Sequence, residues 1–213
     1  MTAVSPQDAI VPHAELRPVA EGTHIMGMPA VSPNITTIAE LLALPEDGMR
    51  HELLDGVHAV TPSPALLHQA VLREVMSLLI ESLKGQEDLH LFSSPADVVL
   101  GPRTLVQPDV FVVRQQPGTR LRRWEDVGVP VLAVEFLSPG TAVRDRGAKR
   151  RIYQQAGVPE YWIVDLDARL VERWRPTDSR PEVLSEALVW DLPVGSGRLS
   201  IDLPSLFEKV LGP

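Results

Sequence analysis

One carboxylate stands inside an apolar run. It is Glu135, in Val131-Leu132-Ala133-Val134-Glu135-Phe136-Leu137. Taking such a group out of water is costly unless something pairs with it, and a metal ion or a cationic side chain are the leading partners. A second acid, Asp109, lies in another apolar run, Leu105 to Arg114, 26 residues earlier. If the two runs are adjacent strands, both acids can point to one sheet face and bind a hard cation such as Mg²⁺ through oxygen. Strand alternation puts Ala133, Glu135 and Leu137 on one face and Leu132, Val134 and Phe136 on the other. Further on, Asp145 and Lys149 stand at i, i+4 in a helical pattern, with Ile152 and Tyr153 one turn beyond. Lys149 can therefore lie over the sheet, close to the acids. Two acids, a metal and a lysine are the parts that activate a water and stabilise a phosphorane-like transition state.

These residues need strands and a helix to position them. Thr36 or Thr37 can cap a short helix over Ile38 to Leu44, ended by Pro45. Asp55-Gly56, between two short alternating runs, is a hairpin turn signal over Met49 to Val60. Apolar residues at helical spacing (Leu67, Val71, Leu72, Val75, Leu78, Leu79, Leu83) predict a helix from Ala65 to Lys84, stopped at Gly85. Leu89 to Leu100 reads as one strand, irregular at Ser93-Ser94-Pro95. Leu105 to Arg114 reads as a second, with Pro108 marking an edge or a bulge. A basic loop, Gln115 to Val129, leads to the strand Val131 to Leu137. A helix follows over Arg144 to Ala156, stopped by Gly157 and Pro159. Glu160 to Leu166 and Leu170 to Arg175 read as a strand pair across Asp167-Ala168. The tail gives one or two strands within Ala187 to Ile201 and a helix over Pro204 to Val210. The order of elements predicts a mixed α/β sheet domain with extra N- and C-terminal strands. Residues 1–35, with five prolines and no periodicity, read as a flexible leader, and 36–213 as one domain.

The chain has 213 residues, enough for one domain with a sizeable core. It has no cysteine, which excludes disulfides and thiolate metal sites. No signal peptide pattern and no apolar run near the roughly 20 residues of a membrane span are present. A cytoplasmic location is expected. The net charge of −8 counts against a general attraction to nucleic acid. Local charge differs: Arg120, Arg122 and Arg123 form one basic cluster, and Arg144, Arg146, Lys149, Arg150 and Arg151 a second. The motifs of zinc proteases (HExxH), phosphate-binding loops and GxSxG hydrolases are absent.

The string HELLDG…SPxxxHQ…PDVFVV…AVEFLSPGT…RDRGAKRRIYQQAGVPEYWIVD resembles the Uma2 family of endonucleases, a branch of the PD-(D/E)XK nuclease superfamily. The resemblance runs from about Ile38 to Leu206. It implies a restriction-endonuclease-like fold, a mixed central sheet flanked by helices. It implies phosphodiester hydrolysis in nucleic acid, DNA foremost, with Mg²⁺ as cofactor and Mn²⁺ as a substitute. By position, Asp109 matches the Asp of the PD element and Glu135 the acid of (D/E)XK. Glu52 matches a further acid in the ELLDG motif. Leu137 stands where the superfamily has lysine, and Lys149 on the next helix takes that part. The main-chain carbonyl of Phe136 is the implied third metal ligand beside Asp109 and Glu135.

Plainer readings compete. Glu52 reads equally as an exposed hairpin acid, and Lys149 as a helix-surface partner of Asp145. Arg144, Arg146, Arg150 and Arg151 read as a solvated helix face or, for those nearest the site, Arg146 and Arg150 foremost, as substrate-phosphate contacts. His68 reads as a hydrogen-bonded structural histidine. Tyr153, Tyr161 and Trp162 read as packing residues beside the site. The rival function is a nuclease fold that binds nucleic acid or a protein partner without cutting. A homodimer would bring two sites to the two strands of a duplex. No helix-turn-helix or zinc finger is evident, so sequence specificity would come from loops, dimerisation or a partner.

Overall fold

The segment Leu132–Phe136 is buried along its whole length. That is the expected state of a strand covered on both faces, and the molecule is arranged around it. The computed structural model describes residues 35–213, apart from Pro62, Val194, Ser196 and the side chain of Glu125. The leader expected over 1–35 lies outside these residues except for Ile35, which is buried.

The elements run α1 (Ile38–Leu42), β1 (Arg50–Leu54), β2 (Val57–Thr61), α2 (Leu66–Ser82), β3 (Leu89–Ser93), β4 (Val98–Gly101), β5 (Thr104–Val106) and β6 (Val110–Arg114). A 3₁₀ turn (Trp124–Asp126) precedes β7 (Leu132–Phe136). Then follow α3 (Ala142–Arg144), a π-helical turn (Asp145–Lys149), α4 (Arg150–Gln155), β8 (Glu160–Asp165), β9 (Leu170–Trp174), β10 (Glu182–Leu184), β11 (Ala187–Asp191), β12 (Arg198–Asp202) and α5 (Leu203–Leu211).

Six strands form the main sheet in the order β10-β9-β8-β7-β6-β3. Only β7 and β8 are parallel, and the helical segment between them is the crossover that a parallel pair requires. The sheet is therefore mixed, as expected. A second sheet has the order β2-β1-β5-β4, and β11 pairs with β12 in a hairpin. These supply the extra N- and C-terminal strands.

The predicted alternation of β7 decides the core. Leu132, Val134 and Phe136 join α2, α5 and the β11–β12 hairpin in one apolar cluster. Ala133 joins Ile152 and Tyr153 of α4, with Val98, Val106 and Leu54 of the second sheet, in another. Burying a side chain of this size is worth about 1.5–3 kcal/mol. Glu135, in phase with Ala133, is thus forced under α4 rather than into solvent.

Two expected strands are broken. Leu89 to Leu100 is two strands in different sheets, separated at the cis peptide Ser94–Pro95. Leu105 to Arg114 is likewise β5 in one sheet and β6 in the other. The Ser94 N–H donates to the Asp109 carbonyl at 3.1 Å, so the two chains cross between sheets together. Asp109 sits at that crossing, immediately before β6. The turn at Asp55-Gly56 is as expected: both residues have positive φ, 53° and 83°, as a two-residue hairpin demands. Gly157, at φ 75°, ends α4. Its N–H bonds Gln154 and the next N–H, from Val158, bonds Tyr153.

Candidate active site

The helix after β7 starts at Ala142 and carries a π-helical turn that the sequence pattern does not announce. In that turn the Arg150 N–H reaches back to the Asp145 carbonyl. The same carbonyl accepts from the Tyr161 hydroxyl at 3.1 Å. The wider turn brings both Asp145 and Lys149 to the buried side. Turns of this kind are frequent at functional sites.

Lys149 points down onto the sheet. Its Nζ lies 2.7 Å from Glu135 Oε1 and 2.8 Å from Glu52 Oε1. The Tyr153 hydroxyl donates to the same Glu135 oxygen at 3.0 Å. Glu52 Oε1 also accepts from the Gln107 N–H at 2.8 Å. Glu52 is only 2% exposed, so the hairpin-surface reading of this acid does not describe its position. Arg50 and Glu52 are two apart on β1 and leave the same face of the strand.

Arg50 reaches Asp109. Its Nη1 lies 2.6 Å from Asp109 Oδ1 and 3.2 Å from Ser94 Oγ. Asp109 Oδ2 accepts from the Phe136 N–H at 2.9 Å and lies 3.0 Å from His68 Nε2. A carboxylate only accepts, so that histidine nitrogen carries the proton. The His68 ring packs edge-on against Phe136, with centroids 5.5 Å apart. Asp109 is next in register to Glu135, one step beyond the pair Val110 and Val134.

The electrostatics are one-sided. Burial would raise the Asp109 carboxyl, but the hydrogen bond and charge of His68, the Arg50 charge and the Phe136 N–H bring it down to about 2. Burial pushes Glu135 well above the carboxylate range against the pull of Lys149, with Asp109, Asp145 and Glu52 adding to the rise. Burial works to lower Lys149, yet Glu135, Glu52 and Asp145 outweigh it and raise the ammonium above its ordinary value. Asp145 is raised by burial too, and its Oδ1 has no hydrogen-bond partner. The two ends of the Glu135–Lys149 pair pull apart, since burial favours a neutral Glu135 while its charge is what raises Lys149. The 2.7 Å contact supports the ion pair, so Lys149 keeps its proton, and four buried carboxyl groups face Lys149, Arg50 and Arg144.

Asp109, Glu135, Phe136, Asp145 and Lys149 line a cavity of about 390 Å³, together with Arg50, His68 and Arg144. Hard oxygen donors, surplus buried negative charge and one carboxylate oxygen without a partner suit a divalent cation. Among the described residues, no three His, Asp or Glu side chains are grouped to hold a metal ion.

The two arginines expected at substrate phosphate lie elsewhere. Arg146 is bound to Glu172 at 2.6 Å and Asp165 at 2.7 Å. Arg150 bonds Gln154 and lies over the Trp174 ring at 4.8 Å. Neither lines the cavity. The π turn is the physical reason: it changes which side chains stack along the helix, so an α-helical projection misplaces them. Arg50 and Arg144 do line it; Arg144 was read in the sequence only as part of a basic cluster, and Arg50 went unnoticed. The signal for Arg50 was its two-residue spacing from Glu52.

A family model described as "Putative restriction endonuclease", Uma2, matches residues 38–202. The chain belongs to the Uma2 family. A crystal structure described as "a putative nuclease belonging to DUF820", from Anabaena variabilis ATCC 29413, superposes on the Uma2 chain with a TM-score of 0.65. The two share 23% identity, over 82% of this chain and 99% of that one. At that identity the likeness speaks for the fold, a mixed sheet with flanking helices, similar to that of the nuclease. No curated protein matches the Uma2 chain. No helix among the described residues is long and apolar enough to cross a membrane.

Proposed function

We propose that the chain is a divalent-metal-dependent endonuclease that hydrolyses phosphodiester bonds in DNA. One observation carries this reading. Glu52, Asp109, Glu135 and Lys149 come from β1, the β5–β6 crossing, β7 and the π turn; Asp109, Glu135 and Lys149 line one cavity, and Glu52 is bonded to Lys149. Asp109, Glu135 and the main-chain carbonyl of Phe136 would hold Mg²⁺ or Mn²⁺. When bound, the ion supplies Lewis-acid activation of water and neutralises charge on the phosphate.

The remaining steps belong to the protein. His68 and the Phe136 N–H fix the Asp109 carboxylate as an acceptor. Lys149, 1% exposed, fixes Glu135 and Glu52 together and places a positive charge beside the reacting phosphate. Both described hydrogen bonds of Glu135, from Lys149 and Tyr153, fall on Oε1. Its other oxygen is the one assigned to orient the attacking water. A homodimer would bring two such sites to a duplex.

The test is cleavage of plasmid, linear and single-stranded substrates with Mg²⁺ and with Mn²⁺. Asp109→Ala and Glu135→Ala are expected to abolish cutting while circular dichroism stays native. Wild-type rates from both purified variants would overturn the reading. A second reading has one observation in its favour: the two Asp109 oxygens already serve Arg50, His68 and the Phe136 N–H. On that reading the fold binds nucleic acid or a partner without cutting. Calorimetry that finds no Mg²⁺ or Mn²⁺ binding dependent on Asp109 and Glu135 would favour it.

A further inference from the structure

Asp109, Glu135 and Asp145 line the cavity, Glu52 is bonded to its Lys149, and the whole chain carries a net charge of −8. A polyanion approaching such a site needs cations that are still free to meet it. Lys149 is sealed between Glu52 and Glu135. Arg146 is held by two acids, and Arg150 by Gln154 and Trp174. Arg120, Arg122 and Arg123 follow Arg114, at the end of β6 away from Asp109. None of the three lines this cavity; Arg122 and Arg123 line another, with Phe92 and Trp124.

Arg50, held to Asp109 through Nη1 alone, and Arg144 line the cavity itself, and the hairpin brings them together. Thr61 is the cross-strand partner of Arg50, so their side chains share a face with Cβ atoms about 5 Å apart. Arg144 donates through Nη2 to the Thr61 hydroxyl. Both guanidinium groups therefore gather at one rung of the β1–β2 hairpin, and both line the cavity with Asp109, Glu135 and Lys149. Each also has a buried Nε–H without a partner. The described bonds of Arg50 all run through Nη1, and that of Arg144 through Nη2. A guanidinium presents its donors as a fork that matches two phosphate oxygens.

We propose that Arg50 and Arg144 form the phosphate subsite of this cavity, taking a backbone phosphodiester of nucleic acid between them. This rests on the nucleic-acid reading of the site, and replaces the two helix arginines that the sequence pattern favoured. Such contacts position a strand and carry no base preference.

The test is fluorescence anisotropy of a labelled DNA duplex and a labelled single strand, with Ca²⁺ in place of Mg²⁺ and with chelator alone. Arg50→Gln and Arg144→Gln are compared with wild type and with Arg151→Gln, an exposed arginine of α4 that changes net charge equally. Each cavity variant is expected to bind about tenfold more weakly for every sequence tried, and to lower the slope of log affinity against log salt by about 1. Arg151→Gln is expected to keep wild-type slope. Inorganic phosphate as competitor separates a site for any phosphate, which it would displace, from one that needs the strand. Arg144 makes no described bond to Asp109, so its variant decides the matter if Arg50→Gln fails to fold. A wild-type slope in Arg144→Gln overturns the subsite even if the enzyme cuts. The expected loss in a protein that never cuts keeps the subsite and overturns the nuclease. No binding by wild type in either buffer overturns both.

Discussion

The Lys149 ammonium sits 2.7 Å from the Glu135 carboxylate, although the lysine comes 14 residues after the acid and not two. Leu137 holds the nearer place and lines the same cavity. The ammonium is also the only cation bonded to Glu52 among the described contacts. Removing it strands two carboxylates in a dry site. Lys149→Leu is expected to cost about 3–5 kcal/mol, the usual penalty for breaking a buried ion pair from one side. Urea denaturation of the purified variant checks this. A midpoint equal to wild type would mean that the acids find water or another partner.

Asp145 is the acid that the site does least to accommodate. Burial raises its carboxyl above 3.8, and Oδ1 has no partner. A carboxyl raised in the folded state contributes stability below its unfolded value, and that contribution is lost as pH rises through the folded value. Asp145→Asn is therefore expected to melt higher than wild type at pH 7, by about 2–4 °C for each kcal/mol recovered. The gain should vanish as pH falls below 3.8. Differential scanning calorimetry in metal-free buffer from pH 3 to 8 reads both parts.

Glu135 could be read in the sequence because a charge inside Leu132–Phe136 has no neutral explanation. The faces of β7, the Asp55-Gly56 turn and the helix stop at Gly157 were equally local, since each depends on alternation or on a positive φ. The crossings at Ser94-Pro95 and Gln107–Asp109 were not. Ser93-Ser94-Pro95 and Pro108 marked an irregularity in each run, but nothing local says that β4 and β5 join one sheet while β3 and β6 join another. Arg50 and His68 were missed as partners of Asp109 because they lie 59 and 41 residues from it. Arg146 and Arg150 were misplaced because a π turn leaves no mark in hydrophobic spacing.

Tyr153 looked like a packing residue, yet its hydroxyl bonds the catalytic candidate Glu135 at 3.0 Å. Tyr153→Phe keeps the ring against Tyr161 and removes one hydrogen bond. A bond of this kind is worth about 0.5–1.5 kcal/mol in stability. If it also holds Glu135 in its reactive rotamer, kcat should fall about tenfold, which corresponds to 1.36 kcal/mol. KM should stay near wild type, because Tyr153 is fully buried and touches no substrate. Steady-state cleavage with melting data separates positioning from a loss of folded protein.

His68 faces Asp109 from α2, and it is the strongest of the influences that keep that carboxyl at about 2 against burial. His68→Leu removes the hydrogen bond at 3.0 Å and leaves Arg50 and the Phe136 N–H. Burial then has less opposing it, so the Asp109 carboxyl is expected to titrate higher than in wild type. A carboxyl depressed by folding contributes stability above its unfolded value of 3.8, lost as pH falls through its folded value. In wild type that loss is spread from 3.8 down to about 2. In the variant it should be complete at higher pH, with a smaller total. Carbon-13 NMR of labelled aspartate carboxyls reads the titration directly. An Asp109 resonance that titrates as in wild type would show that Arg50 and the Phe136 N–H suffice to set the charge of this acid.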